Sequence, residues 1–258
     1  MNLHSTKDKF KTILGLTLSL GIADFKLRNE GSYLGILWYL LSPLLSFGFL
    51  WFIFSQALGS DIAKYPLYLL LGIVMYNYFQ MSVSESIMAI RNNAGIIKSI
   101  KFPKQTLITA IILKFFISHL IEYIILFAFL MYFNIPILQA LLYLPILILF
   151  IPFIIGLSLI FSSMTVYFID FQNIWEFLSR ILFFITPVFY QLTIPSNHFY
   201  INLLNPLFHF ITLAREIVLY GNLPQSYTII GCLAFSILTP LIGICSFKRL
   251  EKSFAERI

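Results

Sequence analysis

Residues Ser32–Leu58 read SYLGILWYLLSPLLSFGFLWFIFSQAL, with no charged side chain across 27 positions. As a helix rising 1.5 Å per residue, the stretch would reach about 40 Å, against a hydrocarbon core of about 30 Å. A helix buried in a soluble protein can be apolar all round, but seldom over such a length. The stretch is long enough to cross a bilayer with some tilt. Four or five similar stretches follow it, so the chain reads as an all-α polytopic membrane protein.

Composition agrees with that reading. Apolar residues make up 59% of the 258 and charged residues only 11%, with a mean hydropathy of +0.89. Globular chains carry roughly 25% charge. A chain of this length holds about six helices with short loops, which leaves no room for a large catalytic domain outside the membrane. The net charge of +6 comes mostly from basic residues between and beyond the spans, so it points to topology and not to nucleic acid. Cys232 and Cys245 stand 13 apart within one predicted span and form neither a metal site nor a redox pair. Thr12–Ala23 is short, and Gly21-Ile22-Ala23 lacks the usual small-x-small pattern before a cut, so no cleavable signal peptide is expected.

Residues 1–30 carry Lys7, Lys9, Lys11, Lys26 and Arg28 around an apolar centre, which suggests an amphipathic helix at the membrane surface. The alternation of Leu14, Leu16, Leu18, Leu20 and Ile22 instead has the period of a strand. The spans are then expected at about Tyr33–Leu58, Pro66–Ser84, Leu107–Phe133, Ala140–Ile169, Trp175–Val188 and Tyr227–Phe247. Pro43 should bend the first span, and Pro145 and Pro152, seven apart, should give the fourth a single curve. A basic connection holds Arg91, Lys98, Lys101 and Lys104, and Ile90, Ala94, Ile97 and Ile100 or Lys101 could share one face of a short helix there. Residues 1–30, the 85–106 loop and the C-terminal tail together hold 13 of the 17 Lys and Arg residues. With the N-terminus cytoplasmic, that asymmetry favours six spans with both termini inside. Asn2, Asn92 and Ser253 then face the cytoplasm, and Asp61, Gln139 and Asn222 lie outside. Lys114 and Arg180 are expected near the inner ends of spans, with their stems snorkelling.

Glu122 is the most informative charge, about four turns along the third span with His119 at i−3 on the same face. A carboxylate at that depth faces protein or water, either as a transport-path or gating residue or as one side of a helix–helix hydrogen bond. The region from Phe189 to Gly221 contains Pro195, Asn197, Asn202, Asn205, Pro206, Arg215 and Glu216. It is too apolar for an ordinary loop and too interrupted for a span, and such backbone at membrane depth must be shielded by protein or border water. Paired re-entrant helices fit that requirement. Arg215 could meet an anionic group of a cargo, anchor at the interface, or pair with Glu216. Gly31 and Gly35, four apart, could pack a helix face against a second copy or within the chain. Trp38, Tyr39 and Trp51 are transport-path or gating candidates, because an aromatic face can be slid along without demanding one hydrogen-bond pattern. As an alternative, the tryptophans are membrane anchors.

Leu34-Gly35-Ile36-Leu37-Trp38-Tyr39-Leu40-Leu41-Ser42-Pro43-Leu44 resembles the LGxLWxxLxPL signature of the polysaccharide-export branch of the ABC-2 transporter permeases. Ile97-Lys98-Ser99-Ile100-Lys101-Phe102-Pro103 is similar to that family's cytoplasmic loop, Tyr167-Phe168-Ile169-Asp170 to its YFRD segment, and Thr186-Pro187-Val188-Phe189-Tyr190 to its SPVxY. Asn205-Pro206-Leu207 with Arg215, and the tail Phe247–Glu256, complete the resemblance in order and spacing. Ile169 stands where the family has Arg, so any ion pair that Arg makes is missing here or is taken over by Arg180.

The resemblance implies one permease domain over residues 1–258, with a cytoplasmic interface segment at 1–30, a transmembrane region at 31–250 and a cytoplasmic tail at 251–258. It implies six transmembrane helices, an N-terminal interface helix and outer re-entrant helices between spans five and six. Two copies would pair around a central pathway above two separate ATPase subunits, which would bind ATP and Mg. The cargo would be lipid-linked polysaccharide of O-antigen, capsule or teichoic-acid type, moved across the cytoplasmic membrane. The chain has no GxxxxGK[ST] phosphate loop, so no catalytic, cofactor or metal site is expected in it. Arg91, Ile97, Lys98, Ile100, Lys101 and Phe102 are the candidates for coupling to the ATPase. An ABC-2 exporter of a small lipid or hydrophobic drug is the alternative. A self-contained membrane enzyme or secondary transporter is weaker, because no catalytic cluster or clear internal repeat is visible.

Overall fold

The computed structural model describes residues 3–30, 34–35, 37–58, 62–192 and 196–257. Gly31, Asp61, Pro195 and Asn2, named above, lie outside them. The described residues form helices and no strands. Five helical stretches are long and apolar enough to cross a membrane: Leu37–Gln56, Tyr65–Ile87, Gln105–Tyr132, Ile137–Tyr167 and Ser226–Ser253.

The N-terminal segment is one helix, α1 (Leu3–Asn29), in spite of its alternating leucines. It lies along the first half of the helix Gln105–Tyr132, where Thr17 and Thr109 share a 2.8 Å hydrogen bond. The chain enters α2 (Leu37–Leu58) through a turn in which Gly35 has φ +44° and the amide of Trp38 donates to its carbonyl. Gly35 is therefore a turn glycine that accepts a conformation side chains resist, and not part of a helix-packing face. After α2, the helix α3 (Tyr65–Ile87) starts with Pro66 in its first turn, where a missing N–H costs nothing.

Two short helices, α4 (Ala89–Asn92) and α5 (Ala94–Ser99), form the basic connection to α6 (Gln105–Tyr132). A short α7 (Ile137–Leu141) leads into α8 (Tyr143–Tyr167). Pro145 falls in the first turn of α8, so the curve expected from two prolines reduces to Pro152 alone, the one inside the helix. Next comes α9 (Phe171–Ile185), which begins and ends earlier than the predicted Trp175–Val188 and, at 15 residues, falls short of the roughly 20 that a straight crossing needs. Then follow α10 (Asn197–Asn202), α11 (Pro206–Ala214), a π-helical turn at Arg215–Tyr220, and α12 (Ser226–Leu250). A short 3-10 turn and α13 (Phe254–Arg257) close the chain.

Contacts along the helices fix their directions. Ser236 Oγ donates to the carbonyl of Leu149, Thr239 Oγ1 to that of Phe153, and Tyr167 Oη to that of Leu250, so α8 and α12 run parallel. Their backbones touch at Gly156, where an added Cβ would collide with Thr239 and Pro240 of α12. Pro240 has no N–H to offer at this contact, and Gly156 has no side chain to obstruct it. By contrast, α9 runs antiparallel to α3: Trp175 Nε1 donates to Ser84 Oγ at 2.9 Å, Tyr76 Oη to the Ser179 carbonyl, and Tyr68 Oη to the Tyr190 carbonyl at 2.7 Å. From there α11 dips inward until Phe210 packs on Phe150 and Phe153, halfway along α8. The π-helical turn brings the chain back to the end where it started, with Lys64 Nζ 3.3 Å from the Leu219 carbonyl.

The bundle consequently has two unlike ends. At one, Arg91 donates to the carbonyls of Thr165 (3.0 Å) and Val166 (3.1 Å), which the end of α8 leaves without helical donors. Lys104 donates to the Glu251 carbonyl at 3.1 Å, and Arg257 lies over the Tyr167 ring at 4.7 Å. At the other end, α3 begins, α9 finishes and the π-helical turn closes.

Candidate functional site

The best-built site lies at the second end, around Arg215. Its side chain is buried, and every hydrogen bond it makes is to a backbone carbonyl: Nε and Nη2 to Tyr68 (3.2 and 2.9 Å), Nη1 to Pro187 (2.6 Å) and Nη2 to Val188 (2.6 Å). The guanidinium also lies 3.3 Å from the centroid of the Tyr68 ring. The five donors of a guanidinium, fixed in a planar fork, hold carbonyls from two segments at once. Room for it comes from Gly72, one turn after Tyr68, where a Cβ would meet Nη2 and the Val188 carbonyl. Thr186-Pro187-Val188 is thereby tied to α3, with Asn205 donating to Thr186 Oγ1 at 2.9 Å. Glu216 is no partner of Arg215; its carboxylate accepts from Asn222. A cavity of about 110 Å3 beside the guanidinium is lined by Gln191, Thr212, Glu216 and the aromatic rings of Phe208, Tyr220 and Tyr227.

With that geometry in view, the similarity to known proteins can be placed on it. The ABC-2 type transporter profile matches residues 16–219, from α1 through the π-helical turn. The O-antigen export system permease protein RfbA of Klebsiella pneumoniae is 30% identical over 255 residues, covering 96% of this chain and 98% of the relative. The chain belongs to the ABC-2 type transporter family. Within it, RfbA of Myxococcus xanthus is 26% identical over 95% of both chains. The polysialic acid transport protein KpsM of Escherichia coli is 29% identical over 91% of this chain and 93% of its own.

The other candidates of this permease-like chain separate into buried and exposed groups. Trp38 is half exposed, whereas its neighbour Tyr39 is turned inward against Phe25 (ring centroids 5.8 Å) and beneath Arg28 at 5.1 Å. Trp51 is exposed and borders a cavity of about 500 Å3 with Phe47, Phe129 and Tyr132. Glu122 is buried, 3.8 Å from Nδ1 of His119, whose Nε2 lies 3.0 Å from Tyr143 Oη of α8. The Tyr78 ring of α3 stacks on His119 at 4.7 Å. Glu122 thus sits where α3, α6 and α8 meet. Among the described residues no group of three His, Cys, Asp or Glu side chains converges as a metal site would require.

In the basic connection, Ile97 and Ile90 face the chain's own core, while Ile96, Lys98, Ile100 and Lys101 are exposed and Phe102 is half-buried. An outward apolar patch is therefore made by Ile96 and Ile100, and Ile97 holds α5 in place from beneath. Arg91 caps α8 and is not free for a partner. Lys114 is buried and paired with Glu85 of α3, so it does not snorkel as expected from sequence. Arg180 is exposed on α9, and Asp170 makes no ion pair among the described residues.

Glu85, Tyr78 and Tyr143 were not singled out from sequence, because each acquires its meaning only from a neighbour on another helix. Gly72 was the one available signal for the Arg215 site: a glycine inside an apolar span marks a place where something approaches the backbone closely.

Proposed function

We propose that this chain is the membrane subunit of an ATP-driven exporter of lipid-linked polysaccharide, of O-antigen, capsule or teichoic-acid type. The observation that carries the reading is the end-to-end similarity to O-antigen and polysialic acid export permeases. The energy would come from two copies of a separate ATPase that holds ATP and Mg, bound at the basic end near Ile96 and Ile100. A second copy of this chain would complete the pathway, and this chain would perform no chemistry on its cargo. Residues 1–258 act as one permease domain.

Six crossings, in the cytoplasmic membrane with both termini inside, fit the directions of the helices. Since α8 and α12 run parallel, residues 168–225 must return across the full thickness. Although α9 measures only about 22 Å, with the turn to Tyr190 it covers the depth of α3 from Ser84 to Tyr68. The inward dip of α11 and its return to Lys64 support the re-entrant helices, and the position of α1 beside the first half of α6 supports the interface helix. Trp38, Trp51 and the exposed face of α2 are the surface offered to the glycan or the second copy. Arg215 shapes the outer mouth and does not touch cargo directly.

Deleting the gene and restoring it on a plasmid tests the function. The reading expects surface glycan to disappear, lipid-linked glycan to build up on the cytoplasmic face, and both to recover on complementation. Normal surface glycan combined with altered efflux of a small lipid or drug would transfer the chain to the alternative.

A further inference from the structure

A cavity of about 500 Å3 lies between α8, α12 and the π-helical turn, at the end of the bundle away from the basic connections. That volume is in the range of sites that hold small organic ligands, about 300–1,000 Å3. Its walls are hydrocarbon: Pro145 and Leu149 of α8, Leu213 and Ile217 on either side of Arg215, and Cys232 and Leu233 of α12. Polar side chains enter only at the rim, as Gln139 and Asn222. Leu149 lies ten residues beyond Gln139, about 15 Å of helix. The site is therefore polar at the membrane-surface end and apolar towards mid-membrane, the pattern of a lipid and not of a sugar.

Its opening faces outward. Leu142, Ile229 and Leu233 are each about 40% exposed (39%, 40% and 44%), and they continue into the bare apolar face of α12 formed by Ile230, Ile237, Leu238 and Leu241. An apolar cavity of this kind excludes water and accepts apolar guests. At this depth the medium against the opening is the acyl chain of the bilayer. We propose that the cavity is a binding site for one acyl chain of a membrane phospholipid, with the headgroup at Gln139 and Asn222. The inserted chain rests on Leu213 and Ile217 and so props the segment that aims Arg215 at Tyr68, Pro187 and Val188. The inference relies on the membrane placement in the reading above, and deepens it by giving the outer segment a lipid support.

The test uses the full chain, with its ATPase partner, in phospholipid nanodiscs containing a phospholipid with a diazirine near the end of one acyl chain. After irradiation, labelled peptides are mapped by mass spectrometry. The proposal expects labelling of residues 142–149 and 229–233 several-fold above that of the bulk-lipid face at 237–244. Leu149→Trp, which narrows the cavity at its inner end, and the milder Leu233→Phe should reduce it towards that level and leave 237–244 unchanged. Cavity labelling no higher than the 237–244 level in the wild type would overturn it. So would labelling that both variants leave intact, or that polyprenyl phosphate displaces and excess phospholipid does not. An absence of labelling at 237–244 would instead remove α12 from the membrane and defeat the exporter reading itself.

Discussion

Helices α2 and α3 are consecutive, nearly equal in length and both able to span a bilayer, yet their surroundings are opposite. In the most apolar window of each, 78% of α3 is buried inside the chain and only 11% of α2. The more polar helix is the more buried one: α3 carries Tyr65, Tyr68, Tyr76, Ser84 and Glu85, each bonded to a partner on another segment, while α2 shows Leu45, Phe49 and Phe52 outward. In water this would be inverted. In a bilayer, lipid solvates leucine and phenylalanine as well as protein does, so burial is driven by polar groups that need partners and by close packing. On that view α3 is the scaffold to which α6, α8, α9 and the outer segment are fastened. With so little cover from its own chain, α2 lies open to lipid or to another molecule.

The contrast breaks most visibly at Arg215. Replacing it by Leu leaves the buried carbonyls of Pro187 and Val188 without their donors, at about 1–3 kcal/mol each, and takes the additional donors from the helical carbonyl of Tyr68. Arg215→Leu should lose most of its folded yield in size-exclusion chromatography. Arg215→Lys, which keeps the charge but not the fork, should fall between it and the wild type. Yields equal to the wild type for both would remove the site from the scaffold.

Next in size is the pair between Glu85 and Lys114. Glu85→Ala strands a buried ammonium and should cost towards the lower end of about 3–5 kcal/mol, since Glu85 itself still reaches water. Adding Lys114→Met should restore much of the thermal stability. A double variant less stable than the single one would show that the pair itself, and not the stranded charge, carries the effect.

A smaller effect is expected at Glu122. Glu122→Gln keeps the shape and hydrogen-bonding capacity beside His119 and should leave both assembly and export near normal, whereas Glu122→Leu should lower the yield of intact protein. Export per assembled complex separates the two roles. A well-assembled but export-dead Gln variant would make Glu122 part of the transport cycle.

The smallest stability change should come from α2. Trp38→Ala sits on an exposed face, and such changes usually stay within about 0.5 kcal/mol. Its surface glycan per inserted permease should nevertheless fall further than that of Trp38→Phe, which retains an aromatic face. Equal export by both would reduce Trp38 to a membrane anchor.

These contrasts also mark what the sequence could and could not disclose. Spans were legible because charge is excluded from them over about 20 residues, and the basic segments that gather at one end were legible from their asymmetry. The predicted fifth span runs three residues past the end of α9 because the apolar run continues through Thr186-Pro187-Val188, which Arg215 holds from 27 positions or more away. Lys114 was placed at the membrane edge because only the folded bundle brings Glu85 beside it. Ile97 was given an outward role because the helical repeat identifies a face without saying which way it points. The sequence marks Arg215 as important but offers cargo, the membrane interface or Glu216 as its partner, since carbonyl partners have no side-chain signature.

Six crossings with both termini inside would put the basic end of the bundle and the Arg215 end on opposite sides of the membrane. On a background lacking Cys232 and Cys245, single cysteines at Asn92, Gln139, Asn222 and Ser253 can be exposed to a membrane-impermeant thiol reagent in intact cells. Labelling at 139 and 222, with 92 and 253 reacting only after permeabilisation, is the predicted result. Strong labelling at 92 in intact cells, or at 253 together with 222, would contradict it.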